Sequence, residues 1–132
     1  MPVNVLSIGQ CGFDHSSIAR FLSRTLQART DAADTAAEGI KKLAAGSYHL
    51  VLVNRIIDGD GSSGIDLVAR LCAQRACPPV MLVSNLPEAQ AAAMAVGAIA
   101  GFGKSAMSDP DVARRLKDQL ISAPESPARS QL

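Results

Sequence analysis

Three short runs constrain this chain more than any other feature. They are Val3-Asn4-Val5-Leu6-Ser7-Ile8, His49-Leu50-Val51-Leu52-Val53 and Val80-Met81-Leu82-Val83. Each is rich in β-branched side chains, and apolarity runs through it continuously instead of alternating. That pattern marks strands covered on both faces, as in a parallel sheet. A weaker strand is expected at about 27–33 and a fifth at 98–102.

Helical periodicity fills the intervals. Ile18, Phe21, Leu22, Thr25 and Leu26 recur at helical spacing, with Asp14 expected to cap the first helix. Thr35 and Glu38 have capping-box spacing ahead of Ile40, Leu43 and Ala44. Ile65, Val68, Leu71 and Cys72 form a third stripe, and Pro87 opens an alanine-rich fourth helix closed by Gly97. Ser108 is expected to cap a fifth helix whose inner face is Val112, Leu116 and Leu120. Strand and helix therefore alternate five times, which implies a parallel sheet with right-handed crossovers.

Size and charge exclude several functions. The 132 residues, 48% of them apolar, suffice for one domain. It is expected over 1–121, with 122–132 a flexible tail or linker remnant. Thirteen Lys and Arg against twelve Asp and Glu leave a net charge of +1, without the basic excess of a nucleic-acid binder. Four aromatic residues, Phe13, Phe21, Tyr48 and Phe102, make no stacking platform for bases. No apolar run approaches the ~20 residues of a membrane span. Three cysteines without a secretory segment fit a reduced, cytoplasmic setting.

In an open parallel sheet, ligands bind beyond the carboxyl ends of the strands. Here those ends carry Gly9-Gln10-Cys11, Asn54-Arg55, Ser84-Asn85 and Gly103-Lys104. Around them lie Leu50-Val51-Leu52-Val53-Asn54, Gly64-Ile65-Asp66-Leu67, Pro79-Val80-Met81-Leu82-Val83-Ser84, and Gly97-Ala98 with Lys104 seven residues after Gly97. In order and spacing these segments resemble the response-regulator receiver domain, over about 3–121. The resemblance implies a flavodoxin-like three-layer α/β/α sandwich with five parallel strands in the order 2-1-3-4-5. It also implies a role in two-component phosphorelay signalling.

The departures from that family are concentrated at the strand ends. A working receiver has two acids after its first strand and a phosphoacceptor Asp after its third. This chain has Gly9, Gln10 and Asn54 at those positions. Only a carboxylate oxygen can form the acyl phosphate, and an amide is a poor nucleophile. Mg²⁺ prefers anionic oxygen ligands, so it is expected to bind weakly or not at all. The segment from Asn54 to Gly64 is longer than the common receiver spacing. The family's switch aromatic falls on Gly101, one place before Phe102, and Ser105 stands where the family commonly has Pro. Ser84 and Lys104 remain, the residues that contact the phosphoryl group in the family. With no carboxylate beside it, Lys104 should be partly exposed or paired with Asp14, Asp58 or Asp60.

The expected function is that of a pseudo-receiver, a non-enzymatic interaction module whose partner is a histidine kinase or an effector domain. No direct contact with nucleic acid or membrane is expected, and a homodimer is left open. By family analogy its output face would include Ala92, Ala95 and Val96, with Ile99 and Phe102 behind. Two alternatives stand beside this reading. One is an unorthodox receiver phosphorylated on Asp58 or Asp60; the other is a small-molecule or phosphate-binding domain using Ser84 and Lys104. The Asp58-Gly59-Asp60 loop fails the calcium-loop pattern at Ser63 and Ala69, and Ala98 breaks a phosphate-loop pattern ending in Lys104-Ser105. Cys11, Cys72, Cys77, His15 and His49 are read as structural or solvated.

Overall fold

The computed structural model describes residues 3–74 and 76–122. Five parallel strands form one sheet in the order β2-β1-β3-β4-β5: β1 Val3–Ile8, β2 Ala28–Ala33, β3 Leu50–Asn54, β4 Val80–Val83 and β5 Ile99–Phe102. Helices alternate with them: α1 Gly12–Leu26, α2 Ala36–Ala45, α3 Gly64–Cys72, α4 Pro87–Ala95 and α5 Pro110–Ser122. A single 3₁₀ turn, Lys104–Ala106, joins β5 to α5.

Period-two alternation splits the apolar strand residues between two cores. Leu6, Ile8, Val51, Val53, Val80 and Leu82 pack with Leu67, Val68 and Leu71 of α3, with Ala89 and Ala93 of α4, and with Ile40 of α2. Val5, Leu50, Leu52, Met81 and Val83 pack with Ile18, Phe21 and Leu22 of α1 and with Val112 and Leu116 of α5. This two-sided burial explains why the strands read as continuous apolar runs. The expected fold class and strand order are therefore those observed.

Three expectations need correction. Asp14 does not cap α1. Cys11 occupies the cap position, its Sγ accepting from the Asp14 backbone N–H at 3.5 Å, while Asp14 stands in the first turn with its carboxylate directed elsewhere. At α5 the capping acceptor is Asp109 rather than Ser108: Asp109 Oδ1 accepts from Asp111 N at 2.9 Å, because Pro110 starts the helix one residue later than expected. Helix α5 runs through Ser122, and 123–132 lie outside the described residues.

The third correction concerns β5. Met81 pairs with Ile99 and Val83 with Phe102, so two steps on β4 span three on β5. This bulge puts Ile99 and Phe102 on the same face. Phe102 is buried on the α1/α5 side, 5.9 Å between ring centroids from Phe21, and Ile99 joins the same cluster. Neither side chain lies behind Ala92, Ala95 and Val96, since α4 covers the opposite face.

Candidate functional site

The strand ends converge as parallel topology requires, and each expected position there is held by a specific local arrangement. Gly9 follows β1 with φ +84°, and its N–H donates to Ala33 O at 2.8 Å. Its carbonyl oxygen accepts from Asp58 N at 2.9 Å and from Asn54 Nδ2 at 3.2 Å. Asn54 Nδ2 also donates to Ile56 O at 2.7 Å. Both amide protons of Asn54 are thus given to backbone carbonyls. The floor of the pocket is wired for a donor, where a carboxylate would face two carbonyl oxygens.

The long β3–α3 connection closes over this floor. Ile56 and Ser63 form an antiparallel bridge, and Ile57 N donates to Ser62 O at 2.9 Å. The fold-back buries Ile57 completely. A Cβ on Gly9 would come within 2.7 Å of Ile57 Cδ1 and 2.9 Å of Ile57 Cα. Both the positive φ and the Ile57 backbone therefore require glycine at this position.

The two acids of the loop are placed differently. Asp60 Oδ2 accepts from Ala36 N at 3.1 Å, at the start of α2, and Oδ1 accepts from Ser62 N at 2.9 Å and Ser62 Oγ at 2.5 Å. These bonds, the Ser62 hydroxyl foremost, hold the Asp60 carboxyl below its ordinary titration range. Asp58 is exposed, and it is its backbone that meets Gly9. Gln10 is only 5% exposed, and neither its Oε1 nor its Nε2 has a hydrogen-bond partner among the described residues.

On the other side, Ser84 Oγ accepts from Leu86 N at 3.1 Å and so shapes the entry to α4. Asn85 Oδ1 accepts from Ser105 Oγ at 2.9 Å, tying the β4–α4 and β5–α5 connections together. Lys104 does not meet Asn54. Its Nζ donates to Asp14 Oδ2 at 2.6 Å, each side chain about three-tenths exposed. The Lys104 ammonium holds the Asp14 carboxyl below its usual value, against a smaller opposing effect of burial. Of the three acids considered from sequence, it is Asp14 that pairs with this lysine.

Two neutral amides and a glycine make a poor donor set for a hard divalent cation. Among the described residues no group of three or more His, Cys, Asp or Glu could hold a metal ion. Three apolar side chains that follow strand ends at this edge of the sheet are exposed: Phe13 (79%), Ile56 and Leu86. On α4, Ala92, Ala95 and Val96 are exposed alongside Met94.

Sequence reasoning overlooked Gln90. Its Nε2 donates to Leu82 O at 2.9 Å and Ser84 O at 3.1 Å, and its Oε1 accepts from Gly101 N at 3.1 Å. A lone glutamine in an alanine-rich helix was the available signal. No helix among the described residues is long and apolar enough to cross a membrane.

No family model and no curated protein matches the sequence. Solved structures do share the fold. A CheY-like response regulator receiver domain protein from Methanospirillum hungatei is 21% identical, with a TM-score of 0.68 over 92% of this chain and 95% of that one. A putative response regulator from Chloroflexus aurantiacus is 15% identical, with a TM-score of 0.78 over 92% and 99%. The receiver domain of a signal transduction histidine kinase from Syntrophus aciditrophicus is 19% identical, with a TM-score of 0.77 over 94% of each chain.

Proposed function

We propose that this chain is a receiver-like signalling domain that acts through protein contact and takes no phosphate on an aspartate of its strand-end pocket. The likeness of fold supports the first half. The second rests on one observation: Asn54, at the phosphoacceptor position, donates both amide protons to Gly9 O and Ile56 O. An amide cannot form an acyl phosphate. With Gly9 and Gln10 beside it, Mg²⁺ would be held weakly or not at all. Lys104, already neutralised by Asp14, needs no phosphoryl group to balance it.

The partner class that fits this reading is a histidine kinase or an effector domain. The exposed α4 surface of Ala92, Ala95 and Val96 is one contact face, for a partner or for a second copy. A cytoplasmic, non-enzymatic role follows from the same reading. The test is incubation with acetyl phosphate and Mg²⁺ followed by intact-mass measurement. No phosphoryl adduct is expected; an adduct mapped to Asp58 or Asp60 would overturn the proposal. A thermal-shift screen with nucleotides, flavins and phosphate addresses ligand binding through Ser84 and Lys104. Stabilisation by one of them, lost in Lys104→Met, would favour that function instead.

A further inference from the structure

We propose that Cys72 and Cys77 are a reversible redox pair, two thiols that a low-molecular-weight disulfide oxidises to one intramolecular disulfide at the α3–β4 corner. This does not depend on whether the domain is phosphorylated. The pair lies where α3 ends and β4 begins, at the opposite end of the strands from Asn54.

Both thiols are free, and both pack on the same apolar cluster. Cys72 is the last residue of α3. Two successive turns bring the chain back from it: Gln74 N donates to Leu71 O at 3.1 Å, and Cys77 N donates to Gln74 O at 3.4 Å. Beyond Cys77 the two prolines stiffen the chain, and Pro79 O accepts from Val51 N of β3 at 2.9 Å. One cysteine is thus held by a helix and the other by the sheet. Gly97 makes room for the first: a Cβ there would stand 2.6 Å from Cys72 Cβ and 3.1 Å from its Sγ. The third cysteine, Cys11, caps α1 at the other end of the strands.

Burial pushes the Cys77 thiol up to about 11, and the nearby Cys72 sulfur adds to the push. Burial raises the Cys72 thiol as well. Both stay protonated at neutral pH, so exchange is slow in either direction. One protein thiolate attacks the small disulfide, forms a mixed disulfide and expels a thiolate. The second protein thiolate attacks the protein sulfur of that bond, the internal S–S bond forms, and a second small thiol leaves. The two protein thiols lose two electrons and two protons, and the small disulfide becomes two thiols.

The full chain is equilibrated in glutathione redox buffers, in native conditions and in urea. Remaining thiols are trapped with iodoacetamide before intact-mass measurement. The expected product has lost two hydrogen atoms and carries one alkyl group, on Cys11. Its shifted ¹⁵N amides should include Leu71, Cys77 and Gly97. Because the fold holds the two thiols together, native protein should reach half-oxidation at an oxidised-glutathione level about tenfold lower, or more, than the unfolded chain. Cys72→Ser and Cys77→Ser should each stop at a glutathione adduct, and Cys11→Ser should leave the disulfide unaltered. To bypass slow native exchange, the disulfide is also formed in urea and the chain refolded; its urea midpoint should exceed that of the reduced chain. A lower midpoint would overturn the proposal, as would half-oxidation no easier than in urea. So would a disulfide that includes Cys11.

Discussion

Gly9 offers the sharpest test of whether the strand-end pocket could accept an acid. Gly9→Ala adds one carbon at φ +84°, and Gly9→Asp adds the carboxylate that a working receiver would have. The left-handed backbone costs a non-glycine residue about 1–2 kcal/mol. The new Cβ also meets Ile57, at 2.7 Å from Cδ1 and 2.9 Å from Cα. The terminal methyl could rotate, but Ile57 is fully buried and its Cα belongs to the bridged loop. Overpacking of this kind adds about 1–3 kcal/mol. The sum is about 2–5 kcal/mol, a large share of the roughly 5–15 kcal/mol that holds a typical domain folded. Urea denaturation followed by circular dichroism measures it, the midpoint falling by about 1 M or more at ordinary slopes. Truncating the obstacle should separate the two contributions. Combined with Ile57→Ala, the penalty of Gly9→Ala should shrink by about 1 kcal/mol or more through non-additivity, while the backbone part remains. A Gly9→Ala protein within about 0.5 kcal/mol of the parent would refute the reasoning, since that is the range of an inconsequential surface change.

Other substitutions probe the rest of the site. Asn54→Asp should cost about 1–3 kcal/mol at neutral pH, because a carboxylate replaces a donor facing Gly9 O and Ile56 O. Its folded pKa should be raised, so the loss should shrink as the medium is acidified; a variant as stable as the parent at pH 7 would contradict the hydrogen-bond pattern. The Asp14–Lys104 pair runs the other way. Asp14 is depressed in the folded state, so its contribution is present above the ordinary aspartate range and is lost as pH falls through the lowered value. Lys104→Met should return the Asp14 titration, followed by NMR, towards normal and cost about 0.2–1 kcal/mol, as expected of a partly exposed pair. Gly64→Ala should be destabilising, because its Cβ would collide with the Asn54 carbonyl oxygen, with thermal unfolding as the readout. Burial pushes the Cys77 thiol up to about 11, so Ellman's reagent should modify it slowly in the native protein and quickly in urea.

What could be read in advance followed from short-range physics. Val80–Val83 is a strand because four apolar residues in a row need cover on both sides, and the structure supplies α3 and α4 on one face and α1 and α5 on the other. That Gly9, Gln10 and Asn54 bring no carboxylate to the strand ends was legible as residue identity alone. What was not legible depended on distant partners or on geometry between strands. Asp14 looks like a cap because aspartate near a helix start usually is one. Its real partner lies 90 residues away in sequence. The β5 bulge leaves no mark in composition: strict alternation would put Ile99 and Phe102 on opposite faces, and the structure puts both on the face away from α4. The Asn54 hydrogen bonds depend on a loop path that the Ile56–Ser63 bridge and the burial of Ile57 fix once the chain is folded.

The bulge carries one more consequence. Strand β5 lies at the border of the sheet and pairs with β4, so a gap in that one ladder would loosen the whole strand. At Gly101 both groups are already taken: the N–H by Gln90 Oε1 and the carbonyl by Arg115 Nη2 at 3.2 Å. Gln90 also donates to Leu82 O and Ser84 O, so its amide fills the gap that the bulge opens between β4 and β5, while Arg115 reaches the Gly101 carbonyl from α5. The border strand is thus held to its neighbour across the bulge by two side chains whose positions in the sequence give no hint of the task.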